Sequence, residues 1–330
     1  MPIGDSSKKP AKVPDTRGGI GATHQLETPS TPLGEAPALF AEESRTLWGD
    51  AWRRLRRNKL AVISLAYIGI VALLALTAPL WAAKLFGDPL YVNTTTIMKM
   101  RFLAPSLAHP MGTDDFGRDI FARVIYGARI SLTLGIVATL VSVTLGLFFG
   151  ALSGYYGGIV DSLVMRLTDI FLAFPYILFA ILLISILGPG FWSVLVAIGV
   201  LGWTTIARVF RSSILTVKQN DYVEAARAMG ASDMRIMLRH ILPNALAPII
   251  VYATMSLGGV ILTEAALSFL GIGVRPPTPS WGRMLNEAQN FLISHPGLFI
   301  WPGLAIVVTV LAFVLLGDGL RDALDVKVNE

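Results

Sequence analysis

From residue 60 onward, long apolar runs alternate with short charged segments. Leu60–Ala83 and Ile130–Ser153 are each long enough to cross a bilayer, which takes about 20 residues of helix. Ile170–Ala207 carries no charge over 38 residues, too long for one crossing. Gly188-Pro189-Gly190 breaks it into a hairpin, giving a third and a fourth span. Ala245–Gly271 and Pro296–Gly317 supply the fifth and sixth. The pattern predicts an all-α polytopic membrane protein with six transmembrane helices. Ahead of the first span, over 45–59, Leu47, Trp48, Ala51, Trp52 and Leu55 fall on one helical face and Arg53, Arg54, Arg56 and Arg57 on the other. That periodicity predicts a helix lying in the membrane interface, its arginines toward anionic headgroups.

One polar segment differs from an ordinary connection. Residues 221–243 read DYVEAARAMGASDMRIMLRHILP. Asp221 and Glu224 have capping-box spacing. Gly230 suits the left-handed position that closes a helix. Ser232 can cap a second helix, and Pro243 is expected to end it. The expectation is a folded helical elbow at the membrane surface, built to touch another protein.

Only 15% of the chain is charged and 54% is hydrophobic. A soluble domain has roughly 25% charged residues. The net charge is +5, and the basic residues sit beside apolar runs, which favours lipid headgroups over nucleic acid. There is no cysteine, so no disulfide or thiolate site. Residues 1–44 hold six prolines among many Ser, Thr and Gly and read as a disordered cytoplasmic tail. The cluster Arg53–Lys59 abuts the first span and is expected to stay in the cytoplasm. Six spans then return the C-terminus to the same side and place the elbow inside. Residues 84–129 and 272–295 fall outside.

Candidate chemistry is sparse. No GxxxxGK[ST] loop, HExxH helix or GxSxG turn occurs, and the four histidines are scattered, so neither a nucleotide site nor a metal site is expected. Arg166 and Asp169, three residues apart, have the spacing of an ion pair on one helix. Glu264 is the most deeply embedded acid. It either lines a path and meets a substrate amine or hydrogen-bonds to a neighbouring helix or subunit. Asp114, Asp115, Arg118 and Asp119 precede a helical stripe and suit its dipole and turn. Gly146, Gly150 and Gly154 recur every four residues, the spacing of close helix packing. Gly258 and Gly259 suit packing or a hinge.

Together these motifs resemble a known family. Glu224-Ala225-Ala226, Gly230 and Leu242-Pro243 resemble the EAA loop of ABC-importer permeases. RHILPNA at 239–245, GTDDFGRD at 112–119, LTEAALSFLGIGVRPPTPSWG at 262–282, PGLAI at 302–306 and GDGLRDALD at 317–325 are similar to its peptide and nickel branch. The likeness runs from residue 45 to 326 and is that of a C-type subunit of dipeptide or oligopeptide permeases.

The resemblance implies a type I ABC importer permease fold. It divides the chain into a tail at 1–44, an interfacial helix, first span and start of the outer loop at 45–100, the rest of that loop at 101–127, a five-span transmembrane domain at 128–318, and a cytoplasmic end at 319–330. It implies a non-catalytic subunit in a bacterial or archaeal cytoplasmic membrane. Its implied partners are a homologous second permease, two cytoplasmic ATPase subunits that bind ATP and Mg, and an external solute-binding protein. Glu224, Ala225, Ala226, Gly230, Leu242 and Pro243 would couple to the ATPase. Peptides are the implied cargo, with nickel complexes, glutathione and oligosaccharides as alternatives. A self-contained secondary transporter or channel is the alternative from another class, and it has no need of a docking elbow.

Overall fold

The computed structural model describes residues 47–91 and 97–325. The predicted tail, 1–44, lies outside them. The described chain is helical, and its only bridge pairing is Thr113 with Asp119. In order the helices are α1 (Leu47–Arg57), α2 (Lys59–Phe86), α3 (Ile97–Met100), α4 (Ile120–Tyr156), α5 (Gly158–Ala173), α6 (Tyr176–Leu187), α7 (Phe191–Leu201), α8 (Trp203–Val217), α9 (Asp221–Ala228), α10 (Asp233–Arg235), α11 (Leu242–Ala245), α12 (Ala247–Phe269), α13 (Trp281–Ala288) and α14 (Gly297–Leu324).

Five helical segments are long and apolar enough to cross a bilayer: α2, α4, the α7–α8 pair, α12 and α14. α5 and α6, bent by 87°, pass the same test as a pair and make a sixth crossing if they count as one span. The Gly188–Gly190 hairpin is where the sequence places it. The boundaries around it are not. The third crossing starts at Gly158 rather than Ile170, and the fourth runs to Val217 rather than Ala207. Charged side chains cap the apolar run at both ends, yet they pair across the helices and so extend them. The bend has a local cause. Pro175 disfavours helical backbone at the residue before it, and Phe174 is extended at φ −93 and ψ 138.

α4 is 37 residues long, or about 55 Å at 1.5 Å per residue. Asp119 caps it, its side chain accepting the Ala122 amide at 2.8 Å. It packs closely along α8. A Cβ on Gly150 would lie 2.8 Å from the Ala207 carbonyl oxygen and 3.0 Å from Phe210. Gly146 and Gly154 meet Ile206 and Ile214 in the same way. The glycine repeat therefore serves packing. Gly258 likewise rests against Val310, while Gly259 faces open space.

α2 buries only small residues, Ala61, Ser64, Ala75, Ala78 and Ala82, which lets it lie against α4 and α14. Rings of Trp81, Phe86 and Phe121 join its far end to the start of α4. α1 corrects an expectation. Its Ala51 and Leu55 pack with Ala61 and Ala323, and with Leu320 and Leu324, at the end of α14. Its apolar face is spent partly on protein rather than wholly on lipid, and Trp52 stays exposed.

Candidate functional site

The elbow, 221–243, lies at the end of the bundle that carries α1 and the C-terminus of α14. Its first helix starts one residue earlier than the capping box implies. Asn220, extended at φ −78 and ψ 142, is the N-cap, and Asp221 and Glu224 fill the first turn, where carboxylates suit the helix dipole. The end of the helix is as read. Gly230 has φ +80, its amide donates to the Arg227 carbonyl, and Ala231 donates to Ala226, the paired closure of a Schellman motif.

Pro243 does not end the second helix. After α10 the backbone widens into a π turn over Ile236–Ile241, with Leu242 N–H reaching Met237, and the helix continues through Pro243 into α11. The widened turn relieves the clash between a proline ring and the preceding turn. Asn244 donates its side-chain amide to the His240 carbonyl at 2.8 Å.

The elbow has an anchored face and an open one. Val223, Ala226, Ile236, Ile241 and Ala245 are buried with Phe210, Ile214, Val217 and Ile249. Ala226 thus belongs to the anchor and not to the outward surface read for it. Leu242 is half-buried against the same core. Glu224, Ala225, Gly230 and Pro243 are exposed. Among the described residues Glu224 makes no ion pair. Around them stand Tyr222, Met229, Met234 and Leu238, each more than two-fifths exposed. Apolar side chains gathered on a polar loop mark a contact surface.

Two contacts that sequence reading missed tie α4 to the elbow and to the end of α8 just ahead of it. The Tyr155 hydroxyl donates to Asp233 at 2.5 Å, and Lys218 Nζ donates to the Tyr155 carbonyl at 2.6 Å. A cavity of about 240 Å³ lies beside them, lined by Phe148, Ala151, Leu152, Tyr155, Met234 and Met237.

The opposite end of the bundle is charged and closed. Asp114 accepts the Phe116 and Arg118 amides at 2.9 Å and the Arg118 guanidinium at 2.7 Å. Arg123, almost wholly buried, donates to Glu287 of α13 at 2.7 Å and lies 3.6 Å from Asp114. Arg118 reaches Glu287 at 3.3 Å and Arg283 reaches it at 3.1 Å. Asp119 faces His109 Nδ1 at 2.9 Å. Burial pushes the Asp119 carboxyl up, and the Ala122 amide and His109 draw it back. Burial and the neighbouring Asp114 push Asp115 up. The aspartates read as cap and turn are that. Arg123 and Glu287, which bind the loop to α13, carried no local signal. No metal-binding group of His, Asp and Glu occurs among the described residues.

Glu264 is fully buried. It accepts the hydroxyls of Ser131 at 2.9 Å and Ser268 at 2.7 Å, and a third hydroxyl, Ser280, faces it. Ser131 in turn accepts the Trp281 amide at 3.3 Å, and the Trp281 indole donates to Val124 at 2.9 Å. These bonds join α4, α12 and α13. The proposed pair of Arg166 with Asp169 is corrected. Asp169 pairs with Arg208 of α8, and Asp161 holds Arg211 through two bonds at 2.6 Å. Spacing along one helix says nothing of a better-placed cation on the next.

Comparison with known proteins places these features. Residues 142–330 match the binding-protein-dependent transport system inner membrane component family. Residues 46–105 match the N-terminal transmembrane domain of oligopeptide transport permease C. The chain is 43% identical over 282 residues to the dipeptide transport system permease protein of Alkalihalophilus pseudofirmus, covering 86% of this chain and 90% of that one. It is 43% identical over 299 residues to the glutathione transport system permease protein of Pectobacterium atrosepticum, covering 90% and 97%. A solved inward-facing structure of the MetNI methionine ABC transporter superposes with a TM-score of 0.51 at 22% identity, covering 62% of this chain and 97% of that one. That likeness speaks for the fold.

Proposed function

The chain belongs to the family of binding-protein-dependent transport inner membrane components, and from that premise we propose that it is the permease subunit of an ATP-driven importer of di- or oligopeptides. The observation that carries the proposal is the elbow. Its inner face is fixed to the bundle by Val223, Ala226 and Ile236, while its outer face presents apolar side chains with a free acid at Glu224. Such a surface suits a groove in a cytoplasmic ATPase subunit. Glu224 would meet a basic residue there, and Ala225 and the bare Gly230 would allow close approach. Leu242 and Pro243 would carry the movement into α12.

The chemistry is assigned to partners: two ATPase subunits bind ATP and Mg, a homologous permease completes the path, and an external binding protein delivers cargo. Closure of the ATPase pair would move the elbow, and the rigid α4 would deliver that motion to the opposite end. Relatives named for dipeptides and for glutathione support a short-peptide cargo, since both are peptides. The arginines of α1 support an orientation with the elbow, α1 and the end of α14 in the cytoplasm and the charged α13 end outside.

The test is ATP-driven peptide uptake by vesicles holding the assembled transporter and its binding protein. Glu224→Lys and Gly230→Pro should abolish uptake while insertion and assembly persist. Unchanged uptake in both variants would overturn the coupling assignment. Uptake that needs an ion gradient and no ATP would support a self-contained transporter instead.

A further inference from the structure

We propose that α1 is a docking surface for anionic phospholipid headgroups, whose occupancy holds this helix against the inner end of the last span. The proposal rests on the membrane reading alone and not on the cargo.

The orientation of α1 is set by protein. Ala51 and Leu55 are buried against Leu320, Ala323 and Leu324 of α14. Arg54 turns the same way, donating to the Asp325 carbonyl at 3.0 Å. With that side engaged, Arg53, Arg56 and Arg57 are left exposed on the remainder of the helix. Among the described residues none of the three has a carboxylate within ion-pair distance. Three clustered cations without counter-charges call for an external anion.

The height of this row identifies the anion's source. Asn58 caps α2, its side chain accepting the Ala61 amide at 3.2 Å. The first turn of α2 already exposes Leu60 and Ile63, at 58% and 64%. Exposed apolar side chains therefore begin three residues, about 5 Å of helical rise, after Arg57, which puts the end of the arginine row at headgroup depth. Trp52 is 47% exposed and lies under the Arg56 guanidinium at 4.8 Å. An exposed indole beside a cation is the composition of a membrane interface. A free phosphate would satisfy the charge but would leave Trp52 in water.

The experiment uses the assembled transporter in nanodiscs of phosphatidylcholine, with or without phosphatidylglycerol. Two readouts are taken, lipids retained in native mass spectrometry and hydrogen exchange of the 47–57 amides. Each surface arginine is worth roughly a fivefold preference for anionic lipid, so R53Q/R56Q/R57Q should lower phosphatidylglycerol retention on the order of a hundredfold. Exchange in wild-type α1 should slow when phosphatidylglycerol is present, and the triple lysine variant should keep both effects. Equal retention by wild type and the glutamine variant would overturn the proposal, as would exchange indifferent to lipid. Inorganic phosphate slowing exchange equally in phosphatidylcholine discs would overturn the lipid assignment. Loss of lipid dependence with uptake intact would leave the permease reading standing.

Discussion

The outer face of the elbow and the α13 end of the bundle use their charged residues differently. At the α13 end, Asp114, Arg118, Arg123 and Glu287 neutralise one another in partly or wholly buried ion pairs. At the elbow end, Glu224, Arg235 and Arg239 face outward, and Met229 and Met234 stand exposed beside them. One end is complete within the chain. The other leaves these charged and apolar side chains exposed on the elbow's outer face. A charge that is satisfied internally reports on stability, and one left on the surface is open to water or to a partner.

The comparison is broken most severely by Arg123→Ala. It removes the most deeply buried cation of the network and leaves Asp114 to Arg118 and Glu287 to Arg118 and Arg283; removing one partner of a buried pair costs about 3–5 kcal/mol. Thermal unfolding of the purified protein should show this loss. A shift as small as that of an exposed elbow arginine such as Arg239→Ala would mean that the closed end is not self-sufficient.

Glu264 tests the interior between the ends. Glu264→Leu leaves the Ser131 and Ser268 hydroxyls without their acceptor, at a cost of about 1–3 kcal/mol. Glu264→Gln keeps an acceptor and should preserve both stability and uptake. Loss of uptake with Gln at full stability would return Glu264 to the transport path.

Tyr155→Phe removes one hydroxyl bond to Asp233, worth about 0.5–1.5 kcal/mol. Stability should fall slightly, whereas ATP-driven uptake should fall further, because the bond links elbow to α4. Parallel small changes in both would reduce Tyr155 to a structural contact.

The smallest effect concerns pH at the closed end. Asp115 is pushed above its ordinary 3.8 by burial and by Asp114. A raised folded value favours the protonated form, so its stabilising contribution is full below 3.8 and is lost as pH rises through the folded value. Asp115→Asn should therefore be slightly more stable than wild type at neutral pH, with the gap narrowing as pH falls toward 3.8. A gap that widens on acidification would show that Asp115 acts as a favourable anion.

The long apolar crossings, the Gly188–Gly190 hairpin and the left-handed Gly230 were legible in the sequence because each depends on residues near one another in the chain. The partners of Asp161 and Asp169 were not. Arg211 and Arg208 lie 50 and 39 residues away, and only packing of α5 against α8 brings them close. The same holds for Arg123 with Glu287 and Tyr155 with Asp233. Two local errors had a different origin. The capping box was assigned to Asp221, although Asn220 also fits a cap by residue type. Pro243 was read as a stop, yet a wide turn ahead of it removes the clash that makes proline a breaker.

That wide turn also sets a phase. A π turn holds one residue more than the ordinary helix around it, and each residue of an α-helix advances by about 100°. Were one residue deleted between Ile236 and Ile241 and the helix to close regularly, everything ahead of it would rotate by about that angle relative to α12. Tyr222, Met229 and Met234 would then swing round the helix axis. The extra residue before Pro243 thus determines the compass bearing of the elbow, independently of which side chains the elbow carries.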